Sequence, residues 1–565
     1  MKNKLALRPE NTVMQIERLG SFHQTRLSFM RCLLRRVFSE AWQINIATLE
    51  LDNEGYGHVV YEVKTESNLY SFVVFSHYLD PSERSDRVIA ERWDLTMALC
   101  EGRISEERLS YLAANVPLQE MGRMDSKVIV LSRANRSERN FDYVVDCLAV
   151  GKQPDTQKLC DVGYLYRTTA VYGSGKFGMA DWTKVHDYYC DFNRPFAAEM
   201  FACFMLREFS SFQVAYIARM RSAATAVDFD PDIRRFVGIG NSTGLGMAPY
   251  LINHPLLISH WVEMRESALA TVVCQGERTC EAEEKLSGLI QKVSQHLRET
   301  QVSEELQQRN NAIVLIELGK LDKWLKMNAL SSASWHDLQA YSGRELYVET
   351  QELLNALLLE LYPTLVDNFE NSFCLDEQYR LEPSMLLSDL QQIISRKYAW
   401  AMAFDFDCSS SDHVFWYRSE EKMEPRLGER NIDLGEEKQM IMGVARTVQQ
   451  CSASLEKFMQ KADLRLSATV ADFLLSHGEH RDVVRRMQTM AHCFYGEIQA
   501  NLLDENVKPM HLLRCKLSFF GVSKFDPRSR LWVRNTMFQG APALDSVGAV
   551  YMDDWCFPVA PRIVA

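Results

Sequence analysis

The spacing of apolar residues along the chain alternates between a helical period and a strand-like period. Residues 12–42 repeat apolar side chains at helical spacing, which predicts a helix near the start of the chain. Between residues 59 and 75, two runs of alternating apolar and polar residues flank the turn Thr65-Glu66-Ser67-Asn68. This arrangement predicts a β-hairpin.

Most of the remaining chain has the helical period. The predicted helices are 87–100, 104–114, 138–150, 195–222, 256–273, 278–300, 304–328, 348–360, 383–400, 435–461, 463–476 and 481–503. Short strands are predicted again at 517–520 and 531–538. We therefore expect a predominantly helical α+β fold, with long helices and a small antiparallel sheet built from the N-terminal hairpin. The C-terminal strands are candidates for the same sheet.

The order of these elements predicts three regions. Residues 1–193 would form an α+β region with the hairpin, residues 194–505 a mainly helical region, and residues 506–565 a set of short strands that pack on the first region. The first boundary is placed at Asn193-Arg194-Pro195, where long helices begin.

Composition and charge exclude some classes of function. The chain has 565 residues, of which 47% are hydrophobic, as in ordinary folded proteins. Its formal charge of −12 argues against a broad nucleic-acid surface, which requires clustered lysine and arginine. The start of the chain does not resemble a signal peptide, and the most apolar stretch, 196–206, is too short to span a bilayer. We expect a cytoplasmic protein with no nucleic-acid or membrane partner, and the sequence does not determine its oligomeric state.

Cysteine and histidine spacing favours neither disulfides nor a metal. The fourteen cysteines include no CxxC pair, which is typical of reduced thiols. His477, Glu479 and His480 lie close in sequence, but Gly478 between them fits a helix end better than a ligand set. A loop with Asp405, Asp407, Asp412 and His413 lacks the glycine and glutamate of an EF-hand. We therefore predict no metal site.

The segment 237–249, Val-Gly-Ile-Gly-Asn-Ser-Thr-Gly-Leu-Gly-Met-Ala-Pro, is the strongest candidate for ligand binding. Its glycines allow close approach of a ligand to the backbone, and a turn feeding a helix would point free N–H groups at an anion. The hypothesis assigns substrate binding to Gly240, Asn241, Ser242, Thr243 and Gly244. The alternative is a tight interhelical connection with well-capped ends.

Two further residues are candidates for catalysis. Lys176 follows Gly173-Ser174-Gly175, but Phe177 after it provides no hydroxyl for Mg²⁺, so the loop is not a nucleotide-binding P-loop. His254 lies in a predicted loop after the glycine-rich segment, and imidazole titrates near neutral pH. The alternative interpretations are a solvated loop lysine and a structural histidine.

Three arginines beside aromatic residues are candidates for binding an anion. Arg167, Arg418 and Arg534 follow or lie close to Tyr166, Tyr417 and Trp532. The guanidinium group offers a planar fork of donors that matches carboxylate and phosphate. The alternative is a surface ion pair, which contributes little.

Together these residues favour an enzyme acting on a small anionic metabolite, such as a carboxylate, a phosphate or a CoA ester. The reaction type and any cofactor are left undetermined. The hypothesis predicts that Arg167, Lys176, His254 and Arg418 converge on one pocket beside Asn241. The alternative function is a non-catalytic helical scaffold or regulatory protein that docks partners on amphipathic helices such as 278–300 and 435–461.

Overall fold

A computed structural model describes most of the chain. The described residues are 6–83, 92–118, 127–168, 189–194, 196–244, 255–300, 302–329, 333–373, 381–404, 429–430, 439–440, 443–461, 467–499, 508–522, 524–527, 532–546 and 555–561.

Helices dominate this part of the chain, as the apolar spacing predicts. They are α1 (Glu10–Val13), α2 (Ile16–Leu19), α3 (Phe29–Ser39), α4 (Glu106–Asn115), α5 (Phe141–Ala149), α6 (Thr156–Val162), α7 (Ala197–Arg221), α8 (Pro231–Phe236), α9 (Pro255–Gln275), α10 (Cys280–Glu299), α11 (Glu305–Met327), α12 (Trp335–Glu345), α13 (Val348–Leu361), α14 (Pro363–Val366), α15 (Leu387–Lys397), α16 (Ala399–Met402), α17 (Gly443–Lys461), α18 (Val470–Ser476), α19 (Arg481–Met490) and α20 (Lys508–Phe520).

Eleven strands accompany these helices in the described residues. They are β1 (Gln43–Leu51), β2 (Gly57–Lys64), β3 (Leu69–Ser76), β4 (Leu95–Glu101), β5 (Val128–Arg136), β6 (Tyr164–Thr168), β7 (Gly238–Gly244), β8 (Glu429–Arg430), β9 (Gln439–Met440), β10 (Lys524–Pro527) and β11 (Trp532–Met537).

The chain groups into two compact units, each assembled from three separate stretches. Unit 1 comprises Met1–His23, Leu245–Arg278 and Ser332–Lys516, and unit 2 comprises Gln24–Gly244, Thr279–Ser331 and Leu517–Ala565. The predicted boundaries near 193 and 505 remain a prediction about sequential regions.

Unit 2 contains a nine-stranded sheet in the order β1-β2-β3-β4-β5-β6-β7-β11-β10. The α+β class and the hairpin of β2 and β3 are confirmed. The prediction of a small, antiparallel sheet is wrong, because the sheet has nine strands and β6 pairs parallel to β7. The C-terminal strand β11 joins this sheet by pairing with β7 and not with the hairpin.

Six of the nine strands, β1, β4, β5, β6, β7 and β10, were not predicted, and β4 shows one reason. β4 reads Leu-Thr-Met-Ala-Leu-Cys-Glu, and all of its residues except the last are buried, so its apolar run is indistinguishable by period from a helix. The helix predicted over 87–100 is therefore wrong where β4 begins at Leu95. The strand predicted at 517–520 is also wrong, because these residues end α20.

The two faces of the sheet are covered by different helices. On one face, α4 packs through Leu112 against a core that includes Val73, Phe75 and Ala98. On the other face lies α7, and the ring of its Phe201 is 5.7 Å from the ring of Phe72 on β3. Of the 25 residues of α7, 19 are buried, and the first 15 of them are consecutive, so the N-terminal part of the helix is buried on all sides.

Arg207 of α7 is buried and binds backbone carbonyls of distant segments. Its guanidinium donates to Val237 O at 2.9 Å, Ala541 O at 2.6 Å and Pro542 O at 3.1 Å, and it pairs with Glu208. Burial lowers the pKa of Arg207 to about 10, although the charge of Glu208 raises it, so the group stays charged at neutral pH. The side chain therefore satisfies buried carbonyl groups at the start of β7 and after β11.

Unit 1 consists mainly of helices around a network of buried charges. Arg265 and Glu266 of α9 and Glu352 of α13 are almost completely excluded from solvent. In the N-terminal segment, Arg8 forms ion pairs with Glu266 at 2.7 Å and with Glu352 at 2.6 Å. Arg18 forms an ion pair with Glu352 at 2.7 Å. The network joins the first residues of the chain to two buried helices.

We expect Glu352→Gln to lower the free energy of unfolding by about 3–5 kcal/mol, because three arginines would then share one carboxylate. Burial raises the pKa of Glu352, but the charges of Arg8, Arg265 and Arg18 hold the pKa well below its ordinary value. This stabilisation is present above the unfolded pKa of the group and is lost as pH falls. In urea unfolding, the difference between wild type and variant should therefore narrow on acidification. The exposed Glu305→Gln provides the control, with a change within about 0.5 kcal/mol.

Glu199 on α7 gives unit 2 the opposite pH dependence. Its side chain is buried, its Oε1 atom has no hydrogen-bond partner in the described residues, and burial raises the pKa of Glu199 to about 8. Between the ordinary pKa of glutamate and pH 8, folding retains a proton that the unfolded chain has lost, so stability falls as pH rises.

The variant Glu199→Gln keeps the shape of the side chain and removes this titration. We expect its thermal midpoint to equal that of the wild type near pH 5 and to exceed it near pH 9. A thermal midpoint that falls equally in both proteins from pH 5 to pH 9 would contradict the assignment of Glu199.

Candidate functional site

The glycine-rich segment forms a central strand of the sheet. β7 lies between β6, to which it is parallel, and β11, to which it is antiparallel. The backbone of 239–244 pairs along β11, so the prediction of a turn whose N–H groups are unpaired is wrong. The physical reason is that the antiparallel ladder with β11 uses backbone groups along 239–244, and β6 pairs in addition with Gly238 and Gly240. Residues 245–254, where a helix was expected to begin, lie outside the described residues.

Packing accounts for two of the glycines. A Cβ atom on Gly240 would lie 2.6 Å from the ring of Tyr164, and one on Gly238 would lie 2.4 Å from Met537 O. Because both spaces are already filled, these glycines allow close approach of neighbouring strands instead of forming an open cradle for a ligand.

Two of the predicted arginines nevertheless flank this strand. Arg167 on β6 is in register with Gly240, and Arg534 on β11 is in register with Ser242. Asn241 is buried, and its Nδ2 donates to Thr168 O at 2.8 Å. Thr243 and Gly244 continue β7. The sheet therefore brings Arg167, Arg534 and the segment 240–244 together on three adjacent strands.

Three predicted residues lie outside the described part of the chain. They are Lys176, His254 and Arg418. Their predicted convergence beside Asn241 stays a prediction, and of that set Arg167 alone has a described position.

A polar surface extends from Arg167 across the neighbouring strands. We call it the polar patch and define it by His77, Trp93, Thr96, Arg133, Asn135 and Arg167. Thr96 on β4 pairs with Phe75 of β3 on one side and with Arg133 of β5 on the other. Residues paired across strands project from the same face, so the patch continues the face that α4 covers through Phe75.

The next row of the patch lies two residues along the strands and so on the same face. His77 follows β3, and its backbone N donates to Asp94 O at 2.8 Å. The backbone N of Asp94 donates to Asn135 Oδ1 at 3.1 Å, and Asn135 is in register with Arg167. Four consecutive strands therefore contribute to one polar surface.

Buried polar atoms without partners mark this surface. Trp93 is 8% exposed and Thr96 is 1% exposed, yet neither Trp93 Nε1 nor Thr96 Oγ1 has a hydrogen-bond partner in the described residues. His77 Nε2 is likewise buried and without a partner there. Each such group costs about 1–3 kcal/mol when it stays unsatisfied, so three of them on adjacent strands require an explanation.

Positive charge lies beside these atoms. The guanidinium carbon of Arg133 is 4.8 Å from the centre of the Trp93 ring, and Arg167 lies on the next strand. The buried carboxylate of Asp94 accepts the backbone N–H of Arg136 at 2.9 Å. Two arginine side chains therefore lie on the strands that carry the patch, and the planar guanidinium group matches the geometry of a carboxylate or phosphate.

His77 is held in its neutral form. Burial lowers the pKa of His77 below the ordinary value for histidine. At neutral pH one ring nitrogen therefore donates and the other accepts, which is the state that can exchange a proton with a bound molecule.

The sequence contains a signal for this patch that lies outside the motifs described above. Trp93, Asp94 and Thr96 introduce polar groups into a run that is otherwise apolar up to Cys100. Polar residues inside a buried strand require partners, and this rule would have identified them once the segment was recognised as β4.

The histidines considered as metal ligands pack against aromatic rings instead. The rings of His477 and His480 stack on Phe473, at 4.9 Å and 5.8 Å between centres. Within the described ranges, no group of three histidine, cysteine, aspartate or glutamate side chains is arranged to hold a metal ion. The loop with Asp405, Asp407, Asp412 and His413 lies outside those ranges. The twelve cysteines that the structure describes are free thiols.

Comparison with protein-family models, with curated proteins and with solved structures finds no match to this chain. Among the helices that the structure describes, none combines the length and the apolar character needed to cross a membrane.

The packing role of β7 gives a prediction for Gly240. Replacing it with alanine places a Cβ against the Tyr164 ring between two strands, and we expect a loss of about 1–3 kcal/mol in the free energy of unfolding. Gly288, inside α10, provides a matched control because a Cβ there meets no atom within 4 Å. Gly288→Ala should raise stability by about 1 kcal/mol through helix propensity. Equal effects of the two substitutions would contradict the packing role.

Proposed function

We propose that the chain binds a small anionic metabolite at the polar patch and acts on it as an enzyme. The observation that carries this proposal is the set of three buried polar atoms without described partners, Trp93 Nε1, Thr96 Oγ1 and His77 Nε2, beside the arginines of β5 and β6. The ligand class is a carboxylate, a phosphate or a CoA ester.

The chemistry of the patch supports an acceptor-rich ligand. Indole N–H can only donate, and a hydroxyl or a neutral imidazole can donate as well. Oxygen atoms of a carboxylate or phosphate accept such bonds, and hydrogen bonds between charged and neutral groups are stronger than those between neutral groups. A cation would meet donors and a guanidinium, which is unfavourable.

The same arrangement supports a reaction in which a proton moves. His77 is neutral and lies one residue beyond β3, next to Asp94 and diagonal to Thr96 across the strands. An imidazole at that position would accept a proton from a bound molecule and return it, which is the usual role of histidine in general acid–base catalysis. Arg133 and Arg167 would hold the negative charge of the substrate.

The proposal is tested with the full chain and three probes: inorganic phosphate, malonate and acetyl-CoA. Thermal shift and isothermal titration calorimetry measure binding to the wild type and to Thr96→Val and Arg133→Gln. Thr96→Val removes an unsatisfied hydroxyl without changing shape, so we expect the ligand-free protein to become more stable by about 1–3 kcal/mol. Binding of at least one probe should weaken in both variants, by about tenfold in Arg133→Gln.

Matched controls separate binding from general charge. Arg103→Gln removes a charge of the same sign from an arginine that is 75% exposed and paired with Glu62, and it should leave binding unchanged. Thr48→Val on β1 removes a hydroxyl three strands away from Thr96 on β4. If none of the probes binds, or if Arg133→Gln and Arg103→Gln weaken binding equally, the proposed site is wrong.

A further inference from the structure

The edge strand β1 is the most exposed strand of the sheet. None of its nine residues is buried, and Ile46 and Leu49 are 41% and 42% exposed. It pairs with β2 on one side, and in the described residues it has no partner on the other side. Its outer backbone groups are therefore a template for another strand.

Both ends of β1 are anchored. Trp42, just before the strand, is buried, and its ring is 5.5 Å from that of Phe192. At the other end, Tyr216 of α7 donates its hydroxyl to Leu51 O at 2.9 Å. The exposed edge is thus held in place before any partner arrives, which lowers the entropic cost of pairing.

The two faces of β1 differ in polarity. Ile44, Ile46, Leu49 and Leu51 are in register with Val63, Tyr61, Val59 and Gly57. These apolar residues therefore lie on the face that includes Val59 and Tyr61, whereas Gln43, Asn45, Thr48 and Glu50 lie on the other. The strand contains no lysine, arginine or proline, which are the residues that most often protect an edge from pairing.

We propose that β1 pairs antiparallel with β1 of a second copy of this chain, about a twofold axis between Ala47 and Thr48. This surface is separate from the polar patch, and the proposal does not depend on the proposed function. A β-bulge lies at Ala47, between two regular halves of the strand. In the antiparallel pair each half meets the opposite half of the partner strand, so Ile44 lies opposite Leu51 and Ile46 lies opposite Leu49 of the second copy.

Charge favours this arrangement over a parallel one. Glu50 is the one charged residue of β1 and is 69% exposed. A parallel pair would place the two Glu50 carboxylates side by side, where like charges are destabilising. The antiparallel pair places them at opposite ends, about five residues or 17 Å apart at 3.3 Å per residue.

The area buried between the two β1 strands determines how tightly we expect the two copies to associate. A ladder of nine residues is about 30 Å long, and a single pair of strands buries less than the roughly 1,000 Å² of a stable interface. The association should therefore be weak and reversible, and visible as a dependence of mass on concentration.

Sedimentation velocity of the full chain between about 1 µM and 500 µM tests the proposal. We expect the wild type to shift from monomer to dimer over this range. The double variant Ile46→Lys/Leu49→Lys should stay monomeric, whereas Asn45→Lys/Thr48→Lys, which adds the same charge on the polar face, should retain a dissociation constant within about tenfold of wild type. In the wild type, hydrogen exchange of residues 43–51 should slow as concentration rises.

The hydrogen-exchange measurement needs no variant, so the proposal stays testable if a variant fails to fold. A wild type that remains monomeric at 500 µM, with exchange of 43–51 independent of concentration, overturns self-pairing and would mean that another occupant, such as a foreign strand, covers β1. Dimerisation of Ile46→Lys/Leu49→Lys to the wild-type extent overturns it as well, because the interface would then lie elsewhere.

Discussion

The sheet of unit 2 depends on the need to satisfy backbone groups that are buried around α7. Arg207 donates to carbonyl oxygens before β7 and after β11, so one side chain holds two segments that are far apart in sequence. A charged group survives there because it donates several bonds and pairs with Glu208. The polar patch and the edge strand β1 both belong to the sheet that this arrangement completes.

The helices and the hairpin of β2 and β3 were predictable from the spacing of their apolar residues. Each either buries one face, which gives a regular spacing, or is long enough for that spacing to identify it. α9, α10 and α11 follow the predicted bounds to within a few residues. Strands buried on both faces were not predictable, since β4 has no alternation and β7 has glycines and polar residues. For such segments the neighbouring strands on either side determine the structure, and a single sequence does not show which strands pair.

The candidate site was predictable only in part. Arginine beside aromatic residues identified Arg167 and Arg534, and the register of β6, β7 and β11 brings both to the glycine-rich segment. The role assigned to the glycines was wrong because close packing against Tyr164 requires them. Trp93 and Thr96 were not predicted as site residues. Each is marked by a buried polar atom without a hydrogen-bond partner in the described residues, and such an atom is recognised only in the three-dimensional structure, which also places both residues beside Arg133.

The order of the strands in the chain has a consequence for synthesis. β7 ends at Gly244, but its partner β11 begins at Trp532, about 290 residues later. At typical translation rates of 5–20 residues per second, one side of β7 therefore waits roughly 15–60 s for its neighbour. An apolar strand left open for that time would be prone to pair with other nascent chains, and the Gly-Ile-Gly-Asn-Ser-Thr-Gly composition of β7 makes that pairing weak. The polarity that resembles a ligand-binding motif thus also suits a strand that must remain soluble until the end of the chain arrives.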